Sequence, residues 1–134
     1  NNIEFCPNKN KFLSISDNFA ILWDITTGSS LLQIPATSIN FSSDGKTFIS
    51  TSDDGTATIW NASTYSPIYK LHDDNYRFRI VKFSPNKKNI ITISYNGVVQ
   101  IWHQRNPQEL IDKTLYILNG YNLSTFDKIK YHIE

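Results

Sequence analysis

Three tryptophans keep step along this chain. Trp23, Trp60 and Trp102 lie 37 and 42 residues apart. Each is preceded by a phenylalanine opening a similar turn: Phe5-Cys6-Pro7-Asn8, Phe41-Ser42-Ser43-Asp44-Gly45 and Phe83-Ser84-Pro85-Asn86. The Phe-to-Trp distance is 18, 19 and 19 residues. Two landmarks in register through three copies restrict the chain to a repeat architecture, in which each unit buries its apolar surface on the next.

Within each copy, short β-rich runs alternate with turn signals. In the second, 46–52 runs into Asp53-Asp54-Gly55 and resumes over 56–61. Asp-Gly between two such runs predicts a hairpin, because glycine tolerates the positive φ that the turn requires. The third copy repeats this as 89–94, Tyr95-Asn96-Gly97 and 98–103, and the first compresses it to 12–16, Asp17-Asn18 and 19–24. A further strand closes each unit at 30–34, at 67–71 and, less clearly, at 109–113. Helical periodicity is absent from these stretches. Four strands per period of about 40 residues predict an all-β fold, a partial β-propeller of about three four-stranded blades. Ile3, Phe5, Ile39, Phe41, Phe78, Val81 and Phe83 then fall in the innermost strands. Ile21, Trp23, Ile59, Trp60, Ile101 and Trp102 fall in the third strands.

The chain has 134 residues, 40% of them hydrophobic, which suffices for a packed core. With 13 Lys and Arg against 12 Asp and Glu, it has no long-range field to recruit nucleic acid or an anionic membrane, and neither is expected as a partner. No apolar run approaches the roughly 20 residues that span a bilayer. The single cysteine, Cys6, excludes an intrachain disulfide and fits a reducing compartment, so an intracellular, cytoplasmic setting is expected. A first residue other than Met, and no Met at all, suggest a processed chain or a piece of a longer one.

These residues resemble the WD-repeat family over roughly 1–114. The family's repeat runs in outline from Gly-His through a Phe-Ser-Pro-Asp-Gly turn and a Ser-x-Asp turn to Trp-Asp. The second copy is similar to it throughout, from Phe41-Ser42-Ser43-Asp44-Gly45 to Ser52-Asp53-Asp54-Gly55-Thr56-Ala57-Thr58-Ile59-Trp60, and the first ends on Trp23-Asp24. Trp60-Asn61 and Trp102-His103 depart from the pattern, and Gly-His is missing, Leu71-His72 being the nearest match. The resemblance implies repeats at about 1–34, 35–71 and 72–114. The remainder, 115–134, is a divergent hairpin or the start of a further blade. It also implies a hydrogen-bonded ladder of Trp, Ser or Thr, Asp and His in each blade. Carried over, the ladder residues are Trp23 and Asp17; Trp60, Ser52 and Asp54; and Trp102, Ser94, Asn96 and His72. An indole N–H needs a buried acceptor, and a half-satisfied network costs free energy. Such ladders imply blades less rigid than consensus ones. Propellers close with 4 to 8 blades so that no edge stays open. Three blades are therefore expected to be part of a larger closed propeller, or to be completed by another chain.

Signals for chemistry are weak. Ser94, His72 and nearby acids lack the Gly-x-Ser-x-Gly elbow of a hydrolase and read as structural. His72, His103 and His132 lack metal-ligand spacing, and Asp53-Asp54-Gly55 and Asp73-Asp74 do not make a calcium loop. Neither a metal nor a cofactor is expected. Cys6 stands in a turn and reads as inert, and Lys87-Lys88 reads as a solubilising turn. Tyr76-Arg77-Phe78-Arg79 interleaves aromatic and basic residues, which single-stranded nucleic acid can exploit. Ordinary strand alternation and a protruding protein-binding loop both explain the segment better.

Function enters here by family analogy. WD-repeat propellers serve as rigid platforms that bind proteins through the loops between blades and the second hairpin turns. The resemblance places Asn18, Asp53, Tyr76, Arg77 and Tyr95 on that surface. Tyr and Arg are enriched at binding hot spots, which favours Tyr76, Arg77 and Tyr95. The expected function is a non-catalytic protein-interaction scaffold; the alternative is a regulatory or structural arm of a larger enzyme or assembly.

Overall fold

The computed structural model describes residues 2–7, 9–104 and 126–132. Within these, twelve strands form three four-stranded antiparallel sheets. Sheet 1 runs β1 (Asn2–Phe5), β2 (Lys11–Ser16), β3 (Phe19–Asp24) and β4 (Ser30–Pro35). Sheet 2 runs β5 (Ser38–Phe41), β6 (Thr47–Thr51), β7 (Ala57–Asn61) and β8 (Pro67–Leu71). Sheet 3 runs β9 (Phe78–Phe83), β10 (Asn89–Ser94), β11 (Val98–Gln104) and β12 (Phe126–His132). This is the expected meander of three blades. One strand differs: the fourth place in sheet 3 belongs to Phe126–His132, which pairs with β11 from Val98↔His132 to Gln104↔Phe126. That pairing runs along the whole of β11. Residues 109–113, expected as the closing strand, and 115–125 of the expected hairpin or further blade lie outside the described residues.

Turn chemistry fixes the registers. Asp17 and Asn18 both have positive φ, 50° and 67°, the pair a two-residue type I′ hairpin demands, so the shorter first turn still closes β2 on β3. In the other two blades Gly55 and Gly97 take φ of 85° and 82° in longer turns. Both strand faces of the middle blade are packed. Phe48, Ile49, Ser50 and Thr51 are successive and all buried, because sheet 1 covers one face and sheet 3 the other.

Two interfaces result. Leu13, Ala20, Leu22 and Ile34 of sheet 1 meet Ile39, Phe41 and Phe48 of sheet 2, with Trp60 at the edge. Ile49, Ala57, Ile59 and Leu71 of sheet 2 meet Phe78, Val81, Ile90 and Trp102 of sheet 3. The first strands also join laterally. The Asn40 side chain accepts the Phe83 N–H at 2.8 Å and donates to Glu4 Oε1 at 2.7 Å, linking all three sheets along their inner edge.

Candidate functional site: a rim of turns and a buried ladder

Antiparallel meanders send alternate turns to opposite ends of the blades. At one end lie the β2–β3, β6–β7 and β10–β11 turns and the segments joining successive sheets. Here the structure brings together most of the proposed binding residues. The Arg77 guanidinium donates to the Asp53 carbonyl, and the Arg77 carbonyl accepts the Tyr95 N–H at 3.2 Å. Gly55 makes room for this crossing, since a Cβ there would lie 3.1 Å from Arg77 Cγ. Asp53, Arg77 and Tyr95 therefore form one contiguous rim across sheets 2 and 3. Tyr95 is 59% exposed and its ring is available to solvent. Asn18 stands apart on sheet 1, but it and Tyr95 line the same concavity of about 650 Å³, with Ile15, Thr37, Ile39 and Arg79 among its other walls. Tyr76 is half-buried in the connecting segment, its N–H directed at the Asp73 carbonyl at 3.4 Å.

The ladders differ from the sequence expectation in one consistent way. The Trp23 indole donates to Ser14 Oγ at 2.8 Å, Trp60 to Ser50 Oγ at 2.9 Å and Trp102 to Thr92 Oγ1 at 3.0 Å. Ser52 and Ser94, placed in the ladders from sequence, instead serve their own turns. Ser52 Oγ donates to Asp54 Oδ1, and Ser94 Oγ to Asn96 Oδ1 at 2.5 Å. Asp17 likewise accepts from Ser16 within the first turn, at 3.4 Å. The reason is register. Trp60 lies opposite Phe48, and the next residue on that face of β6 is Ser50, whereas Ser52 lies past the strand's end. Hydrogen bonds from Ser52 and Thr56 outweigh desolvation and hold the Asp54 carboxyl at about 2.

His72 does not join Trp102. It is exposed, with Nε2 3.0 Å from Asp74 Oδ1. The inward place is taken by Asp73, which sequence reading passed over. Asp73 Oδ2 accepts from Gln100 Nε2 at 2.8 Å, and Gln100 Oε1 accepts from Thr92 Oγ1 at 3.3 Å. Both Gln100 and Thr92 are buried. A legible signal existed for the hydroxyl partners: each lies 9 or 10 residues before its tryptophan. Nothing comparable marked Asp73 or Gln100.

Other side chains take structural places. Cys6 is buried with Sγ 3.8 Å from the Gly45 carbonyl, and burial pushes its thiol up, more than nearby Lys9 and Lys11 pull it down. Lys87, read as solubilising, instead pairs with Asp44 of sheet 2, and this bond, with one from Ser42, holds Asp44 far below the usual carboxylate range. Among the described residues no group of three His, Cys, Asp or Glu is placed to hold a metal, and no helix is long and apolar enough to cross a membrane.

Stacked four-stranded meanders joined by their first strands, with an indole-to-hydroxyl bond in each, define a class of protein: β-propeller blades. Residues 32–61 match the family described as WD domain, G-beta repeat. Apoptotic protease-activating factor 1 of Homo sapiens is 31% identical over 99 residues, and that of Rattus norvegicus 32%. Each alignment covers 70% of this chain, which spans only 8% of the length of those relatives. The crystal structure of RRP9 WD40 repeats superposes with a TM-score of 0.67 at 20% identity, over 75% of this chain and 34% of that one. The structure of U3-55K gives the same score and identity, over 75% and 35%. The fold is that of WD-repeat propeller blades, and residues 32–61 carry a repeat of that family, whose propellers typically mediate protein interaction.

Proposed function

We propose that this chain is a non-catalytic protein-interaction scaffold whose partner surface is the rim of Asp53, Arg77 and Tyr95, extended by Tyr76 and by Asn18 across the concavity. The assembly of those three residues from two blades carries the reading. It ties the backbone of an exposed aromatic, Tyr95, to that of Arg77, whose guanidinium is held by the Asp53 carbonyl. Such pre-organised Tyr and Arg anchors lose little entropy on binding. The partner is a protein, not nucleic acid or membrane, in keeping with a formal charge of +1. The open flanks of sheets 1 and 3 receive further blades, from the same longer polypeptide or another chain.

The test is quantitative co-purification with the native polypeptide. Arg77→Ala and Tyr95→Ala should each deplete the same partners at least about tenfold, with circular dichroism unchanged. Undiminished recovery with intact structure refutes the surface. A second reading, an arm of a larger enzyme or assembly, draws support from the small share of the relatives that the chain spans. A catalytic domain in the same native polypeptide would favour it.

A further inference from the structure

We infer that Asp73 is the positioning residue of the partner rim: its carboxylate ties segment 72–77 to the buried ladder of sheet 3. The observation is a row of hydrogen bonds with one direction. The Trp102 indole donates to Thr92 Oγ1, the Thr92 hydroxyl to Gln100 Oε1, and Gln100 Nε2 to Asp73 Oδ2. The other carboxylate oxygen, Oδ1, accepts the Asn75 N–H at 2.9 Å inside the segment itself. One carboxylate thus joins the core to the loop.

The chemistry requires that order. An ionised carboxylate only accepts, so it fixes the Gln100 amide with Nε2 toward Asp73 and Oε1 toward Thr92. Turning the amide over would set two acceptors face to face. Thr92 must then donate to Gln100, which leaves its lone pairs for the indole. Every member is satisfied in one arrangement, and such networks specify a single conformation. Leu71 and Asp73 are buried while His72 and Asp74 are exposed, so the chain leaves β8 with alternate side chains pinned inward. Four residues beyond the last pin, Arg77 crosses to Asp53 and receives the Tyr95 N–H. Without the pin, the segment loses its tie to the buried ladder of sheet 3.

This inference rests on the rim being the partner surface, so its test uses no partner. Hydrogen exchange is followed by mass spectrometry in the native polypeptide, on peptides spanning 72–77, 94–97 and, as control, 46–62. The first variant is Asp73→Asn, which has the same shape but must set its NH2 either against the Asn75 N–H or against Gln100 Nε2. Flipping Gln100 relieves the second clash only by pointing Nε2 at Thr92, whose hydroxyl hydrogen then loses its acceptor. The expected result is exchange about tenfold faster in 72–77 and 94–97, with less than about threefold change in 46–62. Gln100→Met, which removes the donor and keeps the volume, should give the same pattern. Equal acceleration in all three peptides overturns the proposal, because the network would then support the blades at large. Unfolding by both variants has the same meaning, and unchanged loop exchange in both overturns it as well. Loss of partners on Tyr95→Ala is read separately, so either idea can fail alone.

Discussion

Ile3 and Ile39 hold the same place in successive sheets, opposite Ser14 and Ser50, yet Ile3 is 58% exposed and Ile39 1%. Phe5 and Phe41 repeat the contrast at 68% and 5%. Cross-strand pairing puts Ile3, Phe5, Phe12, Phe19, Ile21 and Trp23 on one face of sheet 1. The matching face of sheet 2 is buried by sheet 1. Sheet 1 thus presents a finished packing surface with nothing described against it, and contiguous apolar surface of this kind marks an interface.

Truncation should separate the two faces. Phe48→Ala empties a fully buried site and should cost about 3–5 kcal/mol. Phe5→Ala in the chain alone should cost less than about 0.5 kcal/mol, because its ring is already in water. Denaturant midpoints of the two variants check this, and equal losses would mean that the face of sheet 1 is covered within the chain.

The ladder assignment is tested by neighbouring serines. Ser50→Ala leaves the Trp60 indole without its acceptor and should cost about 1–3 kcal/mol. Ser52→Ala removes bonds confined to an exposed turn and should cost about 1 kcal/mol or less. Urea unfolding of both decides; the reverse order would restore Ser52 to the ladder.

Much of this fold was legible in the sequence, and the reasons are local. Asp-Gly and Asn-Gly pairs, a β-rich pattern and a repeated Phe-to-Trp distance located eleven of the strands, because turn chemistry and strand alternation act over a few residues. The outer strand of sheet 3 was not legible: Phe126–His132 begins 22 residues after the end of β11, too far for one local turn to join them. The site divides in the same way. Arg77 and Tyr95 stood out as residue types, but their link to Asp53 spans 24 positions. Asp73 was hidden by His72 beside it, since only the exit angle of β8 decides which of the two turns inward.

Two glycines with similar φ make a further contrast. A Cβ on Gly45 would lie 2.5 Å from the Pro7 carbonyl oxygen, where sheets 1 and 2 meet, while one on Gly28 meets nothing within 4 Å. Gly28→Ala should carry only backbone strain, about 1–2 kcal/mol. Gly45→Ala adds a clash that must part the two blades, so its melting temperature should fall further. Equal shifts would show that this junction yields freely.

Acid should loosen the links at the turns. Asp44 and Asp54 have depressed values when folded, so their contribution is full above the unfolded value near 3.8 and fades as pH falls, for Asp54 through about 2. Lys87→Met removes the main cause of the Asp44 shift and should flatten the loss of stability below pH 4. Both side chains are partly exposed, so screening keeps the effect within about 1 kcal/mol. Unfolding midpoints across pH 2 to 6 measure it, and an unaltered profile would deny the pair any role.

The interaction surface itself is best tested by a photo-crosslinking residue at Tyr95, compared with one at Lys46 in a turn at the opposite end of the blades. The account predicts that proteins captured from position 95 are absent from position 46, and that they disappear when Arg77→Ala is added. Equal capture at both ends, or capture at position 95 that ignores Arg77, would contradict it.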